Sequence, residues 1–232
     1  MHMNTKPLPR SARLTRTSLS ERAATKLRKL ILRNVLVPGS SVTEREVSEQ
    51  LGISRTPARE AIRTLVGEGL IVVSETGRLS IANPDFDAII DLVQVLRALE
   101  ALGCELAAEN ASDAELTSIK QSHNRMCEAV ADSSDFKYFD ANIAFHRSIV
   151  AASHNPALVQ THKLIDDQLY QARFRCSRQQ GRREIAIEEH DRITKALLAR
   201  DKAQARQAMT LHLTTTIHNL RAIEEEDSQS AE

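Results

Sequence analysis

Apolar residues recur at helical spacing in three short segments of the first third of the chain. The first segment covers residues 19–34, and a proline-glycine turn follows it. Thr43 and Glu46 then have the spacing of a capping box, in which each side chain satisfies a backbone amide at the start of a helix. The pattern predicts a second helix that starts here and ends at Gly52.

The third segment combines an apolar face with a basic face. A helix over about residues 54–66 brings these apolar side chains together: Ala58, Ala61, Ile62, Leu65 and Val66. Arg55, Arg59 and Arg63 recur every four residues, and they form one stripe because each such step turns only about 40° around a helix. Two helices joined by so short a turn predict a helix-turn-helix whose second helix enters the DNA major groove. The alternative is an ordinary amphipathic helix with a solvated basic face.

A short β-hairpin is expected directly after this helix. Residues 70–73 are apolar and largely β-branched, residues 74–77 form a turn, and residues 78–81 alternate polar and apolar side chains. Such a hairpin is the wing of a winged helix, and Gly77 in its turn can approach a phosphate or the minor groove closely. Asn83 precedes a proline, which disfavours helical geometry and ends the first domain.

The pattern changes after residue 85, where glycine and proline become rare and no convincing strand follows. Helical spacing predicts six helices at about residues 86–109, 112–131, 134–152, 156–178, 182–199 and 201–224. Their short connections favour antiparallel neighbours. The expected fold is mainly α, with an N-terminal winged helix-turn-helix that carries a small β-hairpin wing, followed by an all-α six-helix bundle.

The formal net charge of zero hides an asymmetry between the two parts. Residues 1–83 carry 14 basic and 7 acidic side chains, whereas the remaining 149 residues carry 17 basic and 24 acidic ones. A basic first part favours contact with a polyanion. Residues 1–18 are expected to be a disordered basic tail, residues 83–85 a linker, and residues 225–232 a frayed acidic tail. The winged domain then spans 19–82 and the helical domain 86–224.

Composition and cysteine usage indicate a globular protein of the cytoplasm. Apolar residues make up 41% and charged residues 27% of the 232 residues. No apolar run approaches the roughly 20 residues that span a membrane, and the N-terminus has no apolar stretch typical of a secretory signal. Cys104, Cys127 and Cys176 are few, odd in number and far apart, so reduced cysteines are expected rather than disulfides or a metal site.

Histidines supply the candidate chemistry of the helical domain. Asn142 and His146 lie one turn apart on one helix face. His190 and His212 are separated by 22 residues, which suits facing positions on an antiparallel pair. Together these residues can form a metal site, although a single histidine on an apolar face is more often a hydrogen-bonded core residue. The remaining histidines are expected at the surface, except His162, which has apolar neighbours and can line a pocket.

The motifs resemble those of a known family. Residues 19–82, with GISRTPAREAIRTLVGEGLI, look like the winged helix-turn-helix of GntR-type bacterial transcription regulators. The helical part resembles the ligand-binding (FCD-type) domain of the FadR subfamily. The matching stretches are LRALEALGCELAAENAS (96–112), FHRSIVAASHNP (145–156), EEHDRITKALLARD (188–201) and MTLHL (209–213).

For DNA, the resemblance implies a homodimer that places one recognition helix in each half-site of a palindromic operator. Carried over by position, the main contacts would be Arg45, Arg55, Thr56 and Arg59, and the secondary contacts Ser54, Arg63 and Gly77. Arginine suits this role because it pairs bidentately with guanine. The wing departs from the common family pattern, since Thr76 rather than an arginine precedes the glycine.

For the helical domain, the resemblance implies a divalent transition metal (Zn, Ni or Mn) held by His146, His190 and His212. The family usually has an aspartate where this chain has Asn142, whose amide oxygen can ligate but brings no negative charge. Arg97, Tyr170 and Arg173 are candidate effector-binding residues. The guanidinium of Arg97 can bind a carboxylate of the pocket or effector, or alternatively pair with Glu100.

These features predict a dimeric DNA-binding transcription regulator, with repression as the expected mode and no membrane partner. A small carboxylate effector would bind the metal-containing bundle and change the spacing of two DNA-binding domains. One alternative is a metal-sensing regulator in which the ion is the signal. Another is a metal-dependent hydrolytic enzyme, since three histidines around a metal can activate water. The sequence lacks the glycine-rich cradle, nucleophile motif or clearly spaced base of such an enzyme.

Overall fold

The computed structural model describes residues 18–132, 134–179 and 181–230. These residues form nine α-helices and one two-stranded antiparallel sheet. The expected mainly α fold, with a winged helix-turn-helix and a helical bundle, is confirmed. The basic tail that the sequence predicts lies outside the described residues, apart from Ser18. The chain divides into two compact units, one that ends at Ile81 and one that begins at Ala82.

The N-terminal unit contains the three expected helices, α1 (Leu19–Leu32), α2 (Glu44–Leu51) and α3 (Arg55–Gly67). The capping box at the start of α2 is present, because the amide of Glu46 donates to Oγ1 of Thr43 and the amide of Thr43 donates to Oε2 of Glu46. Gly52 ends α2 with a left-handed φ of 63°, so that the chain turns at once into α3. The helices share a core made of Ala23, Leu27, Ile31, Val47, Ala58, Ile62, Leu65, Ile71 and Ile81.

The wing is a hairpin of strands β1 (Ile71–Val73) and β2 (Leu79–Ile81). Ile71 pairs with Ile81 and Val73 with Leu79 in antiparallel register, so both isoleucines face the core of the unit. At the turn, the amide of Gly77 donates to the carbonyl of Ser74 at 2.8 Å. The positive φ of 78° at Gly77 fits the tight turn that the sequence predicts.

The C-terminal unit consists of the six expected helices. They are α4 (Phe86–Asn110), α5 (Asp113–Ala131), α6 (Asp135–Ala152), α7 (Pro156–Ser177), α8 (Arg182–Leu198) and α9 (Lys202–Ser230). α4 is central, because it packs against α6, α7, α8 and α9. At Gly103, an added Cβ would lie 3.1 Å from Cγ2 of Val150, so glycine permits the close approach of α4 to α6.

Two details differ from the sequence-based expectation. α9 continues to Ser230 rather than ending at about residue 224, because the glutamates that follow are good helix formers and no proline or glycine interrupts them. His123 is buried rather than at the surface, and its Nε2 lies 3.3 Å from the carbonyl oxygen of Ile187. Within the described residues, every helix is too short or too polar to span a lipid bilayer.

Candidate DNA-binding surface and metal centre

The basic stripe of α3 lies on the surface of the N-terminal unit. Ala58, Ala61 and Leu65 on the opposite face are fully buried, which fixes the rotation of the helix. All seven residues that the resemblance suggests for DNA contact are exposed: Arg45, Ser54, Arg55, Thr56, Arg59, Arg63 and Gly77. The surface can therefore meet a polyanion without rearrangement of the core.

Two of these arginines are paired with carboxylates of α2. Nε and Nη2 of Arg59 donate to Oε1 and Oε2 of Glu44 at 2.8 and 2.9 Å. Nε of Arg45 donates to Oε1 of Glu49 at 2.9 Å. The hydrogen bond from Arg59 holds the pKa of Glu44 below its ordinary value, and the same bond raises the pKa of Arg59. Sequence reasoning missed Glu44, because no local spacing connects it with a residue of α3.

Three histidines meet in the interior of the helical unit. His146 comes from α6, His190 from α8 and His212 from α9, and one ring nitrogen of each lies within 4.8 Å of the others. His146 and His190 are fully buried and His212 is 4% exposed. The two Nε2 atoms of His190 and His212 are 3.3 Å apart. The structure thus brings together the three histidines that the sequence singles out.

Hydrogen bonds to carboxylates orient two of the three rings. Nδ1 of His146 donates to Oε2 of Glu100 at 2.6 Å, and Nδ1 of His212 donates to Oε2 of Glu189 at 2.7 Å. Because a carboxylate accepts only, these contacts place the proton on Nδ1 and leave the lone pair of Nε2 for a ligand. Carboxylates in this position orient metal-binding histidines and raise their basicity.

Burial keeps these imidazoles neutral. Desolvation lowers the pKa of His190 well below its ordinary value, and the neighbouring His212 and His146 lower it further. Desolvation also lowers the pKa of His212 to about 4, although the hydrogen bond to Glu189 opposes the shift. Neutral imidazoles are the form that binds a metal ion, so near neutral pH these rings require no deprotonation.

Unsatisfied polar atoms at the same place fit a metal ligand set. Oδ1 of Asn142 and Nε2 of His146 are buried and have no hydrogen-bond partner in the described part of the chain. Buried polar atoms normally have partners, so such atoms need an explanation. One amide oxygen and three imidazole nitrogens suit a divalent transition ion such as Zn, Ni or Mn. The residues present therefore fit the group that the resemblance implies.

Glu100 connects the histidine cluster to a second buried group of charges. Besides its contact with His146, it accepts from Nε2 of His162 at 2.9 Å and lies 3.8 Å from Nη1 of Arg173. Burial disfavours the ionised form of Glu100, but these partners outweigh it and hold its pKa well below the ordinary value. Arg173 in turn donates to Asp166. The alternative pairing of Arg97 with Glu100 is not found, because the guanidinium of Arg97 bonds to Thr214 instead.

A small cavity lies against the histidine cluster. Its volume is about 30 Å³, and it is lined by Tyr138, Asn142, Arg173, Cys176, Ser177, Arg182, Ala186, His212, Leu213 and Thr216. Of the expected effector residues, Arg173 lines this cavity. Arg97 instead donates to Oγ1 of Thr214 at 3.3 Å, and Tyr170 packs edge-on against Phe139.

Arg182 is a cavity residue that sequence reasoning missed. It is 6% exposed, and its Nη1 donates to Oε2 of Glu189 at 3.1 Å. The adjacent Arg183 points elsewhere and pairs with Asp135 at 2.6 Å. In a segment with two consecutive arginines, the sequence alone does not show which guanidinium turns inward.

The chain is similar to known regulators along most of its length. Residues 91–215 match the FCD domain, and residues 19–79 match the bacterial regulatory proteins of the gntR family. An uncharacterized HTH-type transcriptional regulator, YdhC, of Bacillus subtilis is 26% identical over 88% of this chain and 92% of its own length. A probable D-xylose utilization operon transcriptional repressor of Paenarthrobacter nicotinovorans is 31% identical over 88% of this chain and 89% of its own.

Structural comparison agrees at the level of the fold. The McbR/YncC protein of Escherichia coli superposes with a TM-score of 0.76 at 21% identity, over 90% of this chain and all of that one. The two matched domains follow the order of the two structural units, and the matched relatives are transcription regulators. The chain belongs to the GntR family of bacterial DNA-binding transcription regulators, and its helical part is an FCD domain.

Proposed function

We propose that this chain is a dimeric repressor whose operator binding is controlled by a small organic acid held beside a divalent metal ion. One observation carries the proposal: three buried imidazoles meet beside a cavity that is lined by two guanidinium groups and by Asn142, whose amide oxygen is unsatisfied. The name of the Paenarthrobacter nicotinovorans relative, a probable repressor, supports repression as the direction of control. The protein would act in the cytoplasm, where its operator is located.

In the helical unit, Asn142, His146, His190 and His212 would hold the ion. When bound, the ion supplies a Lewis acid that attracts an anionic oxygen. Arg173 and Arg182 would bind the carboxylate of the acid, since a guanidinium matches a carboxylate bidentately. Arg97 and Tyr170 lie outside the cavity lining and remain weaker candidates for effector contact. A cavity of about 30 Å³ admits an acid only if these side chains move.

On DNA, the exposed arginine stripe of α3 would read the major groove. Arg45, Arg55, Thr56 and Arg59 are the proposed main contacts, while Ser54, Arg63 and Gly77 would hold phosphates or flanking groups. The acid acts only if its affinity differs between the forms of the dimer that do and do not bind the operator.

The test combines metal analysis, ligand binding and DNA binding on the full-length protein. We expect the purified protein to contain about one transition-metal ion per chain. A thermal-shift screen of small carboxylic acids should find acids that raise the midpoint, because a ligand that binds the folded form stabilises it by mass action. Those acids should weaken binding to DNA that the protein selects from a random library.

A matched pair of variants tests the role of the cavity. Arg182→Gln should abolish the response to the acid, whereas Arg183→Gln should retain it, because Arg183 pairs with Asp135 outside the cavity lining. If the protein selects no DNA, or if no carboxylic acid binds, the proposed function is wrong.

The size of the cavity favours a second candidate, a metal-sensing regulator. A volume of about 30 Å³ accommodates one or two water-sized groups rather than an organic acid. A metal sensor gains or loses DNA binding when the ion alone is added or removed. A regulator with a structural ion responds to the acid while the metal content stays constant.

A further inference from the structure

Glu44 places a negative charge next to the basic stripe of α3. It is the first residue of α2, and its carboxylate binds the guanidinium of Arg59 through two hydrogen bonds. Arg63 and Arg55 also lower the pKa of this carboxyl, although less than Arg59 does, so all three arginines of the stripe act on it. An acid at this position is unexpected on a surface that meets phosphates, because like charges repel.

The geometry of the ion pair leaves the outer end of Arg59 available. A guanidinium has five N–H groups in one plane. Glu44 receives the N–H of Nε and one N–H of Nη2. The second N–H of Nη2 and the two of Nη1 remain, and the side chain of Arg59 is 55% exposed. These outer groups match O6 and N7 of guanine, which arginine commonly binds as a bidentate pair.

The same carboxylate also disfavours a competing contact. An arginine without a partner can turn to any nearby phosphate, and phosphate contacts raise affinity for all DNA without reading sequence. A carboxylate beside the guanidinium restricts its rotation and repels phosphate oxygens. Specificity is a difference between two affinities, and a repulsive element that weakens the wrong complex increases it.

We propose that Glu44 is a positioning residue for sequence recognition: it holds Arg59 so that its outer N–H groups read a guanine, and it weakens binding to other DNA. The proposal rests on α3 as the DNA-reading helix. Glu60 offers a matched comparison, because it is an exposed glutamate of α3 that forms no ion pair with the arginine stripe within the described residues.

The experiment uses the full-length protein and DNA that the unmodified chain selects from a random library. Fluorescence anisotropy gives dissociation constants for the selected duplex and for a scrambled duplex at one fixed salt concentration. For Glu44→Ala we expect the ratio of the two constants to fall about tenfold, with tighter binding to the scrambled duplex. Glu44→Gln keeps one acceptor oxygen and should lie in between, whereas Glu60→Ala should change the ratio less than twofold.

A chemical change in the DNA identifies the base contact. Replacing single guanines of the selected site by 7-deazaguanine removes N7. At one guanine, this replacement should weaken binding by the unmodified protein about tenfold and leave binding by Glu44→Ala nearly unchanged. An unchanged specificity ratio for a folded Glu44→Ala, or an equal loss for Glu60→Ala, overturns the proposal. Failure of the unmodified protein to select any sequence contradicts the proposed function itself.

Discussion

Asn142 determines the charge of the proposed metal site. Its Oδ1 and the three imidazoles are all neutral donors, and two of the side chains that line the neighbouring cavity, Arg173 and Arg182, are cationic. A divalent ion at this place gains no attraction from an anionic ligand of the chain. Metal binding is therefore expected to be weaker than at a site with a carboxylate, and to depend on an anion from solution.

Asn142→Asp tests this reasoning directly. The substitution adds one negative charge at the ligand position with little change of shape, so the Zn²⁺ dissociation constant should fall about tenfold or more. A competition titration with a chromophoric chelator measures it. Asn124→Asp is the control, because Asn124 is an exposed residue of α5 and the substitution adds the same charge at the surface. Equal or weaker Zn²⁺ binding by Asn142→Asp would contradict the assigned ligand.

Glu100 supports the proposed metal site through its hydrogen bond with His146, although Glu100 is not itself a proposed ligand. It orients His146, bonds to Nε2 of His162 and neutralises part of the charge of Arg173. Glu100→Gln removes the anionic acceptor, and we expect metal affinity to fall about 10- to 100-fold. Glu105→Gln on the same helix, where the glutamate forms a surface pair with Arg206, should leave metal affinity unchanged. A Glu100→Gln protein with unaltered affinity would exclude this supporting role.

At the scale of elements, the turn between α2 and α3 depends on one backbone conformation. Gly52 has a φ of 63°, a region that residues with a Cβ rarely adopt. Gly52→Ala should therefore destabilise the N-terminal unit by about 1–2 kcal/mol. Gly67→Ala, at the end of α3, meets open space in ordinary geometry and should be neutral or slightly stabilising. Urea unfolding followed by circular dichroism measures the free energy of unfolding of both variants. Equal values for Gly52→Ala and Gly67→Ala would show that the conformation of Gly52 causes no strain in the alanine variant.

The elements could be predicted from the sequence because their signals are local. Caps such as Thr43 and Glu46 and the turn glycines depend on residues a few positions apart. The partners of the histidines are not local: Glu189 lies 23 residues from His212, and Glu100 lies 46 residues from His146. Helix packing determines which carboxylate bonds to which imidazole. The same limit explains why Arg182, Glu44 and the burial of His123 were missed.

At the scale of the molecule, the two units carry opposite net charges, and a different function is proposed for each unit. Residues 1–83 carry the excess of basic side chains, and the remaining residues carry the excess of acidic ones. DNA attracts the basic unit and repels the acidic one, so the charge distribution favours DNA contact by the first unit. Any effect of the helical unit on DNA binding must then be an allosteric coupling between two distinct sites.

Such coupling is reciprocal, and this gives a test on the whole protein. If Zn²⁺ changes operator affinity by some factor, saturating operator must change Zn²⁺ affinity by the same factor, which is about 5- to 150-fold in typical allosteric proteins. Both constants can be measured, by anisotropy with and without chelation and by competition titration with and without DNA. In Arg59→Ala, which lacks a proposed base contact but keeps the histidine cluster, the operator concentration that saturates the unmodified protein should change Zn²⁺ affinity less, because a smaller fraction of the variant is bound. Equal Zn²⁺ affinity in free and operator-bound protein would show that the ion stabilises the bundle without controlling DNA binding.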